Sequence, residues 1–233
     1  MKSSVYPEWE VGAPVRFDGD VFLKPDAEAV LTFLKNSHES IHLHGVQESA
    51  LSYLIARGLS RLRQAMVLIA PSEREAEQLF ETVSFFMGRD PQRPDAPLLR
   101  RVWYFPSRTA RKSQSLGKME TTARRLETLY AIRTGTSPLV VVTSALALLE
   151  RLMPPALLVE HVDYRVKGED LDLDSFCRRL IERGYYPVSL VEEYGDLSRR
   201  GGVLDLYAPL YQWPLRLEFF GDELDSIRLF HPV

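Results

Sequence analysis

The residues from Gly45 to Ser52 are spaced like a degraded phosphate-binding loop. A working loop follows the pattern G-x-x-x-x-G-K-[ST], in which the lysine neutralises phosphates and the hydroxyl binds Mg²⁺. The first-glycine, second-glycine, lysine and hydroxyl positions are occupied here by Gly45, Ala50, Leu51 and Ser52. Leu51 offers neither a charge nor a hydrogen-bond donor. We therefore predict a strand-to-helix turn that binds no triphosphate, and a chain with no catalytic residue and no cofactor of its own.

A second ATPase-like signal is the acidic run from Asp222 to Asp225, which follows an apolar strand pattern. An ATPase acidic box lies at the carboxyl end of a parallel strand, facing the phosphate loop. Here Gly221 interrupts the apolar run directly before the acids, and an alternating pattern resumes directly after them. This arrangement predicts a tight hairpin between two antiparallel strands. We therefore interpret the acids as turn residues.

The other residues that could ligate a metal or act as a nucleophile lack partners. His42 and His44 share one face of a predicted strand, but no acidic or histidine cluster accompanies them in the sequence. Cys177 is the only cysteine, and it falls on the apolar face of a predicted helix, as a small core residue would. The sequence therefore predicts no metal site and no disulfide.

An acid-free tract spans residues 96–119 and mixes bases with aromatic residues. Such mixing is typical of nucleic-acid-binding segments. The candidate nucleic-acid contacts are Arg100, Arg101, Arg108, Arg111 and Lys112. The alternative is that the aromatics, Trp103, Tyr104 and Phe105, form a buried strand and the bases line the loop that follows it. The pattern alone leaves both interpretations open.

Three arginines and an aromatic residue lie on or directly before neighbouring predicted strands near the C-terminus: Arg199, Arg200, Arg216 and Phe220. Residues 161–233 are otherwise acidic, with 14 acids and 9 bases. Arginine and aromatic side chains are enriched in protein-binding hot spots. The alternative is a solvated face whose arginines pair with Glu192, Glu193 or Glu218. The spacing favours neither interpretation over the other.

The composition is that of an ordinary globular protein, with 45% hydrophobic and 26% charged residues and a net charge of −3. No apolar run approaches the roughly 20 residues that span a bilayer, and the N-terminus lacks the apolar core of a secretory signal. We therefore expect a cytoplasmic chain without membrane contact. Because the chain stops directly after a predicted strand, we expect a segment of a longer polypeptide, with a natural short chain as the alternative.

Strands and helices alternate through the first part of the chain. Ser72 and Glu75 form an S-x-x-E capping box at the start of one of these helices. The predicted strands are 41–44, 66–70, 102–105 and 139–143, and the predicted helices are 26–36, 49–62, 73–87, 121–133 and 145–152. This alternation predicts the α/β class, with a parallel sheet and helices on both of its faces.

The pattern changes at residue 153. A strand near 161–166 and a helix capped near Asp174 are followed only by predicted strands, at 188–192, 202–207, 215–220 and 224–230. We expect a small α+β domain with an antiparallel sheet. The predicted division is a flexible N-terminal arm at 1–19, a first domain at 20–158 and a second domain at 159–233.

Two C-terminal motifs resemble a bacterial DNA-repair family. "YPVSLVEEYGDLSRRGGVLDLYAP" and "PLRLEFFGDELDSIRLF" are similar to the N-terminal module of transcription-repair coupling factors (Mfd), which itself resembles the excision-repair protein UvrB. Upstream, "VLIAPSEREAEQLFETVSFF", "WYFPSRTA", "RRLETLYAI" and "ERLMPP" follow in the order of that family. The resemblance covers nearly the whole chain after about residue 20.

The resemblance implies a helicase-like domain 1a with a degenerate P-loop at 20–158 and a UvrA-binding domain 2 at 159–233. It also implies a longer parent protein with RNA-polymerase-binding and ATP- and Mg-dependent motor domains that act on double-stranded DNA. A C-terminal domain of that parent would contact this module. In the family, two arginines and a phenylalanine bind UvrA, and by motif these are Arg200, Arg216 and Phe220, with Arg199 adjacent.

Two departures from UvrB support the coupling-factor resemblance. Ala50 and Leu51 replace the glycine and lysine of the phosphate loop, and only a short loop stands where UvrB inserts a long aromatic hairpin that probes damaged DNA. The sequence therefore predicts a non-catalytic adaptor segment that recruits UvrA to stalled RNA polymerase. The alternatives are an active, nucleotide-dependent UvrB-like repair protein and a DNA-binding module that uses the basic tract.

Overall fold

The computed structural model describes residues 29–32, 35, 43, 45–62, 64–87, 101–109, 118–135 and 139–231. The predicted arm at 1–19 and the residues His42, His44, Arg100, Arg111 and Lys112 lie outside this described part. The N-terminal-half elements are α1 (Glu48–Leu62), β1 (Met66–Ala70), α2 (Glu73–Phe86), β2 (Val102–Phe105), α3 (Lys118–Thr134), β3 (Val140–Ser144) and α4 (Ala145–Leu148). The remaining elements are α5 (Pro155–Glu160), α6 (Leu173–Glu182), β4 (Tyr186–Pro187), β5 (Asp196–Arg200), β6 (Val203–Leu206), β7 (Leu215–Phe220) and β8 (Glu223–Leu229).

The first sheet has the order β1-β3-β2, and both strand pairs are parallel. One face packs against α1 and α2 through a core that includes Leu59, Val83 and Val142. The opposite face packs against α3 and α4 through a core that includes Trp103 and Ala131. The α/β class and the parallel sheet with helices on both faces are therefore confirmed.

The start of α2 is fixed by the predicted capping box. The Ser72 Oγ accepts a hydrogen bond from the Glu75 backbone N–H at 3.3 Å, and a Glu75 carboxylate oxygen accepts one from the Ser72 backbone N–H at 3.1 Å. These bonds satisfy two donors that the first turn of a helix leaves free. Because α2 starts directly after β1, Glu73 is held at the carboxyl end of the parallel sheet.

The second sheet has the order β4-β5-β6-β7-β8. Strands β5 to β8 pair antiparallel, as predicted, but β4 pairs parallel with β5, so the sheet is mixed and the purely antiparallel prediction is wrong at this edge. The parallel pairing is possible because the connection over residues 188–195 is long enough to return the chain to the start of β4. At that point the Tyr186 N–H donates a hydrogen bond to the Gly195 carbonyl at 2.8 Å. Helix α6 covers one face through a core that includes Phe176 and Leu204.

Candidate functional site

The loop after Gly45 does not have the geometry of a phosphate loop. Helix α1 already begins at Glu48, so Ala50, Leu51 and Ser52 lie inside the helix rather than in a loop that could curl under phosphates. Ser52 is fully buried, and its hydroxyl has no hydrogen-bond partner within the described structure. A hydroxyl enclosed in this way is unavailable to a hydrated Mg²⁺. The structure thus does not confirm the predicted degenerate P-loop.

A shallow depression beside this turn carries the wrong charge for a nucleotide. Its lining residues are Gln47, Glu48, Ser49, Gln78, Glu81 and Thr82. Two of these side chains are acidic and none is basic. Triphosphate sites use lysine, arginine or metal ions to neutralise the phosphate charge, so this surface would repel a nucleotide.

The carboxyl end of the parallel sheet is filled by the side chain of Glu73. Its carboxylate accepts hydrogen bonds from the Tyr104 hydroxyl at 2.8 Å, the Ser107 backbone N–H at 3.0 Å and the Ser144 hydroxyl at 2.6 Å. These donors come from the ends of β2 and β3. Burial, together with the hydrogen bond to Glu73, raises the pKa of Tyr104, so this phenol stays protonated as a donor.

A second carboxylate, that of Glu150, lies beside Glu73 and shares Ser107 with it. It accepts hydrogen bonds from the Ser107 hydroxyl at 2.6 Å and from the Arg108 and Thr109 backbone N–H groups at 3.1 Å each. Arg125 Nη1 lies 2.9 Å from the same carboxylate. Burial opposes ionisation here, but the hydrogen bonds from residues 107–109 prevail and lower the pKa of Glu150 to about 2.

The described part of the basic tract does not form a nucleic-acid platform. Trp103, Tyr104 and Phe105 are buried strand residues of β2 and offer no exposed ring on which a base could stack. Arg101 and Arg108 are exposed, and the Arg108 Nε lies 3.5 Å from Glu150. Residues 101–109 therefore fit the second interpretation given above, in which the aromatics form a buried strand and the bases line the loop that follows it.

In the second sheet, the four candidate binding residues are divided between the two faces. Arg199 pairs in register with Leu204, whose face packs against α6, and its guanidinium forms an ion pair with Asp174 of that helix. Arg200 and Arg216 alternate to the opposite face. Strand alternation therefore brings Arg200 and Arg216 together on one face and separates Arg199 from them.

Arg216 is held by a carboxylate that the sequence analysis did not consider. Its Nε and Nη2 donate to the two carboxylate oxygens of Asp205, both at 2.7 Å, across the β6–β7 pair. The guanidinium also lies 4.9 Å from the centre of the Phe230 ring. Such a forked pair fixes the orientation of the arginine side chain. Glu218, which the sequence analysis offered as a partner for these arginines, pairs with Arg228.

Arg200 and Phe220 lie at the same end of the sheet, where β5 turns into β6 and β7 turns into β8. The turn after Arg200 packs directly on β7, because Phe219 N donates to Gly202 O at 2.8 Å. A Cβ at Gly202 would stand 2.9 Å from the Phe219 carbonyl oxygen, so only glycine allows this approach. Phe220 is 84% exposed. The hairpin predicted at residues 221–223 is confirmed, with Gly221 at a φ of 64°.

Arg200 is the least constrained of these arginines. Its Nη2 donates to the backbone carbonyl of Ser189, and no carboxylate among the described residues lies within ion-pair distance of it. Arg200 and Phe220 thus present a cation and an apolar ring to solvent at one end of the sheet. This combination suits a protein partner with an acidic, partly apolar surface.

Other candidate chemistries gain no support in the described part of the chain. Cys177 is buried and burial raises its pKa, which suits a core residue rather than a nucleophile. No group of three or more metal-ligating side chains occurs among the described residues. Helices in those ranges are also too short or too polar to cross a bilayer.

A comparison with protein-family models finds a match in the region that contains the second sheet. The family model for the UvrB interaction domain matches residues 165–233. These residues include Arg199, Arg200, Arg216 and Phe220.

Comparisons with known proteins also identify relatives that match most of this chain. A transcription-repair-coupling factor of Myxococcus xanthus is 33% identical over 195 residues, which is 83% of this chain and 16% of the relative. The corresponding factors of Staphylococcus haemolyticus and Bacillus subtilis are 30% and 29% identical over 83% and 87% of this chain, and over 16% and 17% of their own lengths. The resemblance to transcription-repair coupling factors is thereby confirmed. The chain spans about one sixth of the length of these relatives.

Proposed function

We propose that this chain is an adaptor segment that recruits UvrA in transcription-coupled nucleotide excision repair and hydrolyses no ATP itself. The observation that carries the proposal is the exposed end of the second sheet, where Arg200 and Phe220 face solvent within the region matched by the UvrB interaction domain. The family resemblance supplies UvrA as the partner.

The contact would combine an apolar anchor with charge-assisted hydrogen bonds. Phe220 enters a pocket of the partner, and Arg200 donates to an acidic group beside that pocket. Arg216 contributes differently, because Asp205 occupies both of its forked donors. It presents its remaining Nη1 donors in a fixed orientation. We leave Arg199 out of the site because strand alternation places it on the face that packs against α6, opposite the face of Arg200 and Arg216.

Two features support the proposal that the first domain binds no nucleotide. Leu51 and the buried Ser52 cannot neutralise phosphate or hold Mg²⁺, and the depression beside them is lined by Glu48 and Glu81. Glu73 also fills the carboxyl end of the sheet, where open α/β sheets receive ligands.

Further properties of the parent protein belong to the same proposal and follow the resemblance. We propose a division into domain 1a at 20–158 and domain 2 at 159–233, within a cytoplasmic parent. Other parts of that parent would bind RNA polymerase and double-stranded DNA, use ATP and Mg in motor domains, and contact this segment through a C-terminal domain.

The proposal is tested by titration calorimetry with purified UvrA. We expect Arg200→Ala and Arg216→Glu to reduce the affinity by at least about 30-fold, as hot-spot losses do. Circular dichroism should show both variants folded, with Arg216→Glu less stable because it sets a second carboxylate against the buried Asp205. Arg228→Ala is the matched control, because Arg228 lies on the same face but pairs with Glu218. Unchanged affinity for both test variants would exclude this surface. Binding of a fluorescent ATP analogue that is lost in Gly45→Trp would instead support a nucleotide-dependent enzyme.

A further inference from the structure

The turn after β2 surrounds one carboxylate with an unusually complete set of donors. The Glu150 side chain, which is only 8% exposed, contacts two successive backbone N–H groups of Arg108 and Thr109. The hydroxyls of Ser107 and Thr109 approach one of its oxygens at 2.6 and 3.1 Å. Successive backbone N–H groups that converge in this way form an anion-binding concavity.

This donor set is held in place by contacts that do not involve Glu150. Arg125 Nη1 also donates to the Pro106 carbonyl at 2.6 Å, and its guanidinium lies 4.1 Å from the centre of the Phe105 ring. Thr143 Oγ1 donates to the Phe105 carbonyl at 2.8 Å and fixes the end of β2. We therefore expect the donors to keep these positions when the Glu150 side chain is removed.

The location of the set matches a ligand site rather than an ordinary surface ion pair. It lies at the carboxyl end of β2, the edge of open α/β sheets at which ligands bind. Arg125 is itself almost fully buried, with a side chain 7% exposed, and a buried cation requires an anionic partner. The chain provides this anion itself, because Glu150 lies 41 to 43 residues downstream of the donors at 107–109.

The charge around the set limits the anion that it can accept. Glu73 accepts from the Ser107 backbone N–H, so a second carboxylate lies on the other side of the same residue. A dianion at the Glu150 position would meet its repulsion. The size of the occupant and the neighbouring charge both favour a small monovalent carboxylate.

We propose that the 107–109 turn and Arg125 form an anion-binding site that the chain's own Glu150 occupies as an internal latch, and that a small free carboxylate can replace the Glu150 side chain. The latch ties the segment after β3 to the carboxyl end of the sheet. It does not depend on the proposed binding of UvrA.

The test removes the Glu150 side chain and supplies formate. We expect Glu150→Ala to lower the Tm by about 10 °C, since it leaves Arg125 without its anion. Sodium formate should restore about 5 °C of this loss in a saturable manner, whereas sodium chloride at the same ionic strength should not. Glu182→Ala, at an exposed site on α6, and Glu150→Gln, which still fills the space, should show no formate-specific rise.

Amide chemical shifts provide the second measurement. Formate should move the backbone N–H signals of Arg108 and Thr109 in Glu150→Ala and leave them unmoved in the wild-type chain. If Glu150→Ala does not fold in chloride, recovery of the folded state in formate supports the latch and failure to recover it overturns the proposal. A formate effect of equal size in Glu150→Ala and Glu182→Ala would also overturn it.

Discussion

The carboxyl end of the first sheet and the hairpin end of the second sheet use charged side chains in opposite ways. At the first, Glu73 and Glu150 accept hydrogen bonds from groups of the same chain; Glu73 is half-buried and the Glu150 side chain is only 8% exposed. At the second, Arg200 and Phe220 face solvent and have few contacts of their own. Satisfied, buried charges hold a fold together, whereas exposed donors and apolar rings are available to a partner. If the proposed function holds, the carboxyl end of the first sheet contributes stability and the hairpin end of the second sheet contributes recognition.

Removing Glu73 should cause a large loss of stability, comparable to that expected for Glu150→Ala. Glu73→Ala removes the carboxylate to which the Tyr104 hydroxyl, the Ser107 N–H and the Ser144 hydroxyl donate, so we expect the free energy of unfolding to fall by about 3 kcal/mol. Urea denaturation measures the change. Glu81→Ala, on an exposed position of the same helix, should change it by less than about 0.5 kcal/mol. Equal losses in the two variants would show that Glu73 stabilises the fold no more than an exposed glutamate of the same helix does.

The largest expected effect on recognition comes from Phe220. Phe220→Ala should weaken UvrA binding by about 2 kcal/mol, or roughly 30-fold, because it removes the apolar anchor. Its Tm should stay within 1–2 °C of wild type, about what a surface substitution causes. Phe85→Ala is a close control, since Phe85 is a 76% exposed phenylalanine on α2. Similar losses of affinity in both variants would indicate non-specific apolar association.

The pH dependence of stability tests the ionisation of Glu150 at the carboxyl end of the first sheet. Because the pKa of Glu150 is lowered to about 2 in the folded chain from its ordinary value of 4.5, its ionised form adds stability above pH 4.5. This contribution is lost as the pH falls from 4.5 towards 2. Glu150→Gln should therefore be less stable than wild type at pH 6, and the gap should narrow towards pH 2. A gap that stays constant with pH would contradict the assigned ionisation.

The smallest expected effect concerns Arg199. Its ion pair with Asp174 is solvent-exposed on both sides, and exposed pairs contribute about 0–1 kcal/mol. Arg199→Ala should therefore change the free energy of unfolding by less than about 1 kcal/mol and leave the affinity for UvrA within twofold of wild type. Calorimetry and urea denaturation measure both quantities. A loss of affinity as large as that expected for Arg200→Ala would return Arg199 to the binding site.

Elements with strong local signals were predictable from the sequence. The capping box of α2 uses residues three positions apart, and the hairpin after β7 has a glycine directly between two apolar patterns. Strand β5 was missed because "DLSRR" contains a single apolar residue; its pairing with β6, not its own pattern, makes it a strand. The strand predicted at 161–166 is absent, and the short helix α5 precedes that segment instead.

The ionic contacts were not predictable, for a different reason. Glu150 and Ser107 are separated by 43 residues, and no periodicity links two side chains at that distance. Asp205 was predicted as a strand residue, but its pairing with Arg216 depends on the register between β6 and β7. A register is set by the turns and by core packing together. The motif-based resemblance proposed Arg200, Arg216 and Phe220 as binding residues, whereas the separation of Arg199 from Arg200 and Arg216 became visible only from the strand pairing.

The proposed recognition surface for UvrA consists of Arg200 and Phe220. Mixing the wild-type chain with purified UvrA and separating the mixture by size-exclusion chromatography tests it directly. We predict that the wild-type chain co-elutes with UvrA and that a folded Arg200→Ala, Phe220→Ala double variant elutes separately, at the volume of the free wild-type chain. Co-elution of the double variant to the same extent as wild type would contradict the account.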